Sequence, residues 1–151
     1  MRAVVIAVAV VLCLGGAVFG IAMALRASTS HVTGTITGTG GDLGTWTMQV
    51  DRCQSGQRNE FRGVQLYGGD SDAHGTAFVD PIGSEPIITI AREHGGDARQ
   101  FTKAECRVLE GKIENQKSTI NRITNIKGYV RFDCTWQAEH ATGDVTFDNC
   151  H

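Results

Sequence analysis

The sequence predicts an all-β fold: an antiparallel β-sandwich of about eight short strands with one short helical turn, preceded by an N-terminal hydrophobic helix. Three observations predict it. Glycine is frequent (19 of 151 residues) and proline scarce (2). Glycine spread among Thr, Val and Ile suits strands joined by turns rather than a helical bundle. Apolar residues alternate with a period of two in several separate stretches. Four cysteines, Cys53, Cys106, Cys134 and Cys150, are dispersed through the part that follows the apolar N-terminus, as in small exported domains braced by disulfides.

Residues 3–25 contain no charge. Twenty-three residues at the helical rise reach about 34 Å, enough to cross a ~30 Å hydrocarbon core. A buried helix of a soluble domain would show a polar face, and this stretch shows none. Two export readings follow. The length favours an uncleaved membrane anchor. Ala22-Met23-Ala24 also fits the small-residue site of a cleaved signal peptide, which would release the domain as a secreted one. Arg2 and the terminal amine precede the segment and Arg26 follows it, a slight bias that favours a cytoplasmic N-terminus. A third reading is a lipid-modified Cys13. Leu12 stands where a small residue is wanted, and Cys13 reads more simply as an apolar residue of the helix. The chain thus divides into residues 1–26 (anchor or signal), 27–31 (polar spacer) and 32–151 (exported domain).

Within the domain, Val32–Thr37 is strand-like and Thr39-Gly40-Gly41-Asp42 is a turn. From Leu43 to Val50, Trp46, Met48 and Val50 share one face, the mark of a half-buried strand. Asp51–Asn59 is polar and is expected to be a loop pinned by Cys53. Phe61–Tyr67, Thr76–Val79 and Ile87–Ala91 are the next strands, the second stopped by Asp80-Pro81. Thr102 and Glu105 have capping-box spacing and predict one helical turn carrying Cys106. A strand with Leu109, Gly111 and Ile113 on one face follows, and Ser118–Ile126 is expected to be extended. At the C-terminus, Gly128–Cys134 is echoed by Gly143–Cys150, which predicts two similar strands joined by a hairpin at Gln137–Thr142.

Four cysteines allow three pairings. A hairpin centred near Glu139-His140 places Val145, not Cys150, near Cys134, which disfavours a Cys134–Cys150 bond. Pairings of Cys53 or Cys106 with the C-terminal strands stay open. Wide spacing also argues against zinc, whose cysteines come in close pairs.

Candidate sites are few. Asp70-Ser71-Asp72-Ala73-His74-Gly75 copies the opening of a calcium loop, and Asp80 stands nearby; Pro81 replaces the twelfth-position Glu. Asp70, Asp72 and Asp80 are therefore a candidate for weak calcium binding, against a plain solvated turn. Trp46, Tyr67, Tyr129 and Trp136 are a candidate surface for a carbohydrate or a cell-surface protein, against a place in the core. The histidines and Arg58, Arg62, Arg92 and Arg99 are scattered and read as ordinary surface. No nucleophile elbow is present, so no catalytic residue and no cofactor are assigned. The net charge of −2 gives no electrostatic reason to expect nucleic acid. The functional expectation is an envelope domain that binds or serves as structure, with a secreted enzyme as the alternative.

Overall fold

The computed structural model describes residues 29–69, 75–91 and 98–151. The expected N-terminal helix and the candidate ligands Asp70 and Asp72 lie outside the described residues. Among the described residues no helix is long and apolar enough to cross a membrane.

The strands are β1 (His31–Thr39), β2 (Trp46–Gln49), β3 (Arg52–Ser55), β4 (Gly63–Tyr67), β5 (Thr76–Val79), β6 (Ile87–Ile90), β7 (Arg99–Phe101), β8 (Cys106–Ile120), β9 (Ile123–Trp136) and β10 (Glu139–Cys150). They form two five-stranded antiparallel sheets, in the orders β2-β1-β10-β9-β8 and β3-β4-β5-β6-β7. Three short 3₁₀ turns, at Gly41–Leu43, Gly56–Asn59 and Lys103–Glu105, complete the described structure. The last is closed by the predicted capping box, with the Thr102 N–H donating to Glu105 Oε2 at 2.7 Å.

The alternation read from the sequence fixes which side of each strand is buried. Ile36, Met48, Leu109, Val130, Phe132, Val145 and Phe147 of the first sheet meet Val64, Leu66, Phe78, Ile88, Ile90 and Phe101 of the second in one apolar core. Removing this much apolar surface from water is the main favourable contribution to the fold.

Several expectations are corrected. Ten strands are described rather than about eight, and three are long, at 15, 14 and 12 residues. Two-residue turns separate these three. Ile120 pairs with Ile123, so Ser118–Ile126 doubles back at Asn121-Arg122. Trp136 pairs with Glu139, so the C-terminal turn is Gln137-Ala138 and the residue opposite Cys134 is Ala141. Tight hairpins need positive φ, normally signalled by Asn-Gly or Asp-Gly. Here Asn121, Arg122 and Gln137 adopt it at 51°, 68° and 53°, with no glycine to announce the bend. Asp51–Asn59 is not a loop throughout. Arg52 is exposed and Gln54 half-buried, while Cys53 and Ser55 are buried, which hides a strand inside a polar stretch. Cys106 does not sit in the helical turn; it opens β8.

The disulfides join Cys53 to Cys150 and Cys106 to Cys134. The first connects β3 of one sheet to β10 of the other, and the second connects neighbouring strands β8 and β9. Several glycines act as slots for aromatic rings. A Cβ on Gly143 would lie 2.3 Å from the Phe132 ring on the paired strand, and one on Gly111 would lie 2.6 Å from Phe78 of the opposite sheet.

Two outcomes follow for stability. The bridges close sequence separations of 97 and 28 residues. Their chain-entropy contributions are about 4.7 and about 3.6 kcal/mol. Denaturant melts of C53A/C150A and C106A/C134A should therefore show the larger loss in the first, and the reverse order would remove the entropic account. Gly143→Val should cost about 1–3 kcal/mol by overpacking Phe132; an unchanged melt would mean that the ring is free to move aside.

Candidate functional site

The strands of the second sheet are three to five residues long, while β8 and β9 have 15 and 14. The β8–β9 hairpin therefore outruns the layer that covers it. Alternation continues past the end of that layer, so Ile113 remains apolar but only half-buried. The space left beneath it is a cleft of about 730 Å³, bounded on the hairpin side by Ile113, Asn115, Thr124 and Ile126. The other wall comes from Gln57, Glu60, Phe61, Arg62 and Ile82.

Each element of that wall has a local cause. The 3₁₀ turn Gly56–Asn59 ends in a left-handed Glu60 at φ 63°, whose N–H donates to the Gln57 carbonyl at 3.3 Å. This reversal turns the Phe61 ring back over Gly56, where a Cβ would lie 2.4 Å from it. Arg62 is held by an ion pair to Asp80 at 3.3 Å and by the Asp80 N–H donating to its carbonyl at 2.9 Å. Ile82 stands at the β5–β6 turn, closed by the Ser84 N–H to the Pro81 carbonyl at 3.5 Å. There it is 85% exposed. Gln57 Oε1 accepts the Thr124 N–H at 2.9 Å and ties the two walls together. Near its tip the hairpin is held by fully buried Asn125, whose Nδ2 donates to Ser118 Oγ at 3.0 Å and to Asn149 Oδ1. The cleft thus offers apolar walls flanked by amide, carboxylate and guanidinium groups. Pockets of this size and character commonly hold small ligands.

The opposite end of β9 is plugged. Arg99 lies between two rings, 5.0 Å from the Phe101 centroid and 4.7 Å from that of Trp136. Its guanidinium also meets Glu105 and Glu139, each at 3.4 Å. Its side chain is only 18% exposed, which corrects the reading of Arg99 as ordinary surface. The correction has a physical reason: a planar cation stacks on aromatic faces while its edges meet carboxylates. Phe101 and Glu105 are near Arg99 in the chain, but Trp136 and Glu139, which complete the cluster, come from the distant β9–β10 turn.

On the outward side of the first sheet, Asp133 accepts from His140 Nε2 at 2.9 Å and from Arg107 Nε at 3.0 Å. The bond to His140, then that to Arg107, holds the Asp133 carboxyl below its ordinary 3.8. A shallow depression of about 520 Å³ lies beside this trio. Further along the face, Lys112 Nζ meets Glu114 Oε1 at 2.6 Å, which lowers the glutamate and raises the lysine.

The four aromatics singled out in the sequence are not gathered into one platform. Trp46 is half-buried, lies flat over Gly38 and donates its Nε1–H to the Leu43 carbonyl at 2.8 Å. Tyr67 carries Arg52 over its ring at 5.9 Å, and Tyr129 carries Arg131 at 5.4 Å. Trp136 is 41% exposed, with Arg99 on one face. Tyr129 and Trp136 also lie seven residues apart on one strand, an odd spacing that sends them to opposite faces. Of the candidate calcium ligands only Asp80 is described, and it is engaged by Arg62. Among the described residues no group of three or more His, Cys, Asp or Glu is placed to hold a metal ion. The cleft itself escaped the sequence reading. The available signal was Ile113 and Ile126 continuing an inward pattern on strands too long for their cover.

Comparison of the chain with protein-family models, curated proteins and solved structures returns no match.

The Asp133 cluster generates a pH dependence. A carboxyl lowered on folding contributes stability that is full above its unfolded pKa and lost as pH falls through its folded value. The melting temperatures of the native chain and Asp133→Asn should therefore converge as pH falls below about 4. A gap that persists unchanged into stronger acid would show that the carboxyl's charge contributes nothing.

Proposed function

We propose that this chain is a membrane-tethered binding module of the cell envelope, anchored through residues 3–25 with its N-terminus in the cytoplasm and its β domain exported. Its ligand enters the cleft between the β8–β9 hairpin and the Phe61–Ile82 wall. The uncovered inner face of that hairpin carries the reading. It keeps Ile113 half-buried beside Phe61, with Ile82 at the rim. Half-covered apolar surface rimmed by polar groups marks an interaction site more often than a solvated face. The ligand class that fits has an apolar body for Phe61, Ile113 and Ile126. It also has polar groups for Gln57, Arg62 and Asn115, which line the same space.

The anchored form is favoured over a cleaved one by the length of the apolar stretch, which exceeds the ordinary range of a signal peptide. The two disulfides support the exported placement, since such bonds persist in oxidising compartments.

A naphthalene-sulfonate dye (bis-ANS) titrated against the full chain tests the cleft. Ile113→Glu places a charge on the apolar wall and should weaken dye binding about tenfold or more, the cost of an unpaired charge against apolar surface. Thr47→Glu, on the exposed side of β2, should leave binding unchanged. Equal affinity in the native chain and Ile113→Glu would place the dye elsewhere and remove the cleft as the binding site.

A further inference from the structure

We propose that the tip of the β8–β9 hairpin rests on the anionic head groups of the membrane that holds residues 3–25, so that the cleft opens at the lipid surface. The inference depends on the anchored reading above and adds a second, electrostatic contact to it.

The first observation is charge. Residues 115–132 contain Lys117, Arg122, Lys127 and Arg131 and no acid, in a chain whose net charge is −2. Lys127 is paired with Glu114, and Arg131 with Glu110 and Asp144. Lys117 and Arg122 at the tip are exposed and have no carboxylate partner among the described residues. Between them stand Ile120 and, just beyond, Ile123, both half-buried. Two cations with no carboxylate partner among the described residues, flanking apolar side chains at a strand turn, suit the boundary between phosphates and acyl chains.

The second observation is reach. Val32, Phe147, Gly128 and Ile113 form one cross-strand row of the first sheet. From Gly128 to the turn residue Arg122 is six residues, about 20 Å of strand. From Val32 back to Arg26, at the end of the apolar stretch, is also six residues, at most about 20 Å of chain. The chain leaves in the same direction as the hairpin: Asn149 Nδ2 donates to the Thr29 carbonyl at 2.9 Å, and Asn149 in turn accepts from Asn125 of β9. A tether no longer than the hairpin leaves the tip at the membrane surface when the strands stand upright. The Arg99–Trp136 plug then faces away from the bilayer.

The test uses the full chain in phosphatidylcholine vesicles with and without phosphatidylglycerol. Flotation reports the anchor on its own. Thr119→Trp, at an exposed position of the tip, reports contact through quenching by lipids with brominated acyl chains; the native Trp46 and Trp136 belong to the other end and set the background. Quenching of the new tryptophan in phosphatidylglycerol vesicles is expected. Lys117→Glu with Arg122→Glu should weaken that contact at least about 30-fold while flotation persists, from the loss of two cations each close to an anionic surface, with repulsion added. A chain that floats with its tip tryptophan unquenched, or quenched equally after charge reversal or in phosphatidylcholine alone, overturns the head-group contact and leaves the anchor standing. A chain that does not float overturns both. Acylation of the unsubstituted chain gives an independent measurement. Lys117 should be protected by phosphatidylglycerol vesicles and Lys103, in the turn beside Arg99's partner Glu105, should not; equal reactivity overturns the proposal.

Discussion

Cys53 and Cys150 are both buried, and the bond between them is the covalent tie between the two layers of the domain. Apolar packing holds the layers together as well, but it is non-directional and would tolerate sliding. The disulfide fixes one point at which β3 and β10 cross. That point lies near the cleft: Cys150 pairs with Ile126, which lines the hairpin side, and Cys53 is two residues from Ser55, which also lines the cleft. Cys106–Cys134 has a different task, since it ties β8, an edge strand, to its single neighbour.

The second constraint is the mismatch in strand length between the sheets. Where both layers are present, inward residues are buried and the interior is closed. Where β8 and β9 continue alone, the same inward pattern opens a cleft. Such a hairpin has a long free edge, the kind of surface that invites pairing with another chain. Charged Arg107, Glu110, Lys112, Glu114 and Lys117 along β8, together with its bulges near either end, blunt that edge. The cleft and the exposed tip follow from one feature, an excess of strand on one side of the sandwich.

Arginine sets the character of the remaining surface. Arg52, Arg99 and Arg131 each lie over an aromatic ring of Tyr67, Trp136 or Tyr129. A stacked guanidinium covers a face on which a flat ligand would otherwise sit. Tyr67, Tyr129 and Trp136 therefore each have one face covered by the domain's own side chains. The Arg99 cluster adds a plug at one end, where two carboxylates and two rings surround a largely buried cation.

Strand identity and facing were legible in the sequence wherever alternation is clean. Trp46-Met48-Val50, Val64-Leu66 and the twin segments at Val130-Phe132-Cys134 and Val145-Phe147 are local patterns, and burial follows them. The two crosslinks were legible as a class, because four cysteines in a small exported domain read as two disulfides, and the hairpin disfavoured a Cys134–Cys150 pairing. Three kinds of feature were not legible. Turns at Asn121-Arg122 and Gln137-Ala138 use positive φ without glycine, which only the pairing of long strands enforces. The β3 strand hides in a polar stretch because Cys53 and Ser55 are its buried pair. The cleft joins residues far apart in the chain, and the Arg99 cluster is completed by Trp136 and Glu139 of the distant β9–β10 turn. By itself, then, the sequence determined an all-β domain, its inward faces and its need for disulfides, since those depend on local periodicity and composition. Only the tertiary structure decided where one sheet ends beneath the other, because that depends on how strands of unequal length are placed across a shared core.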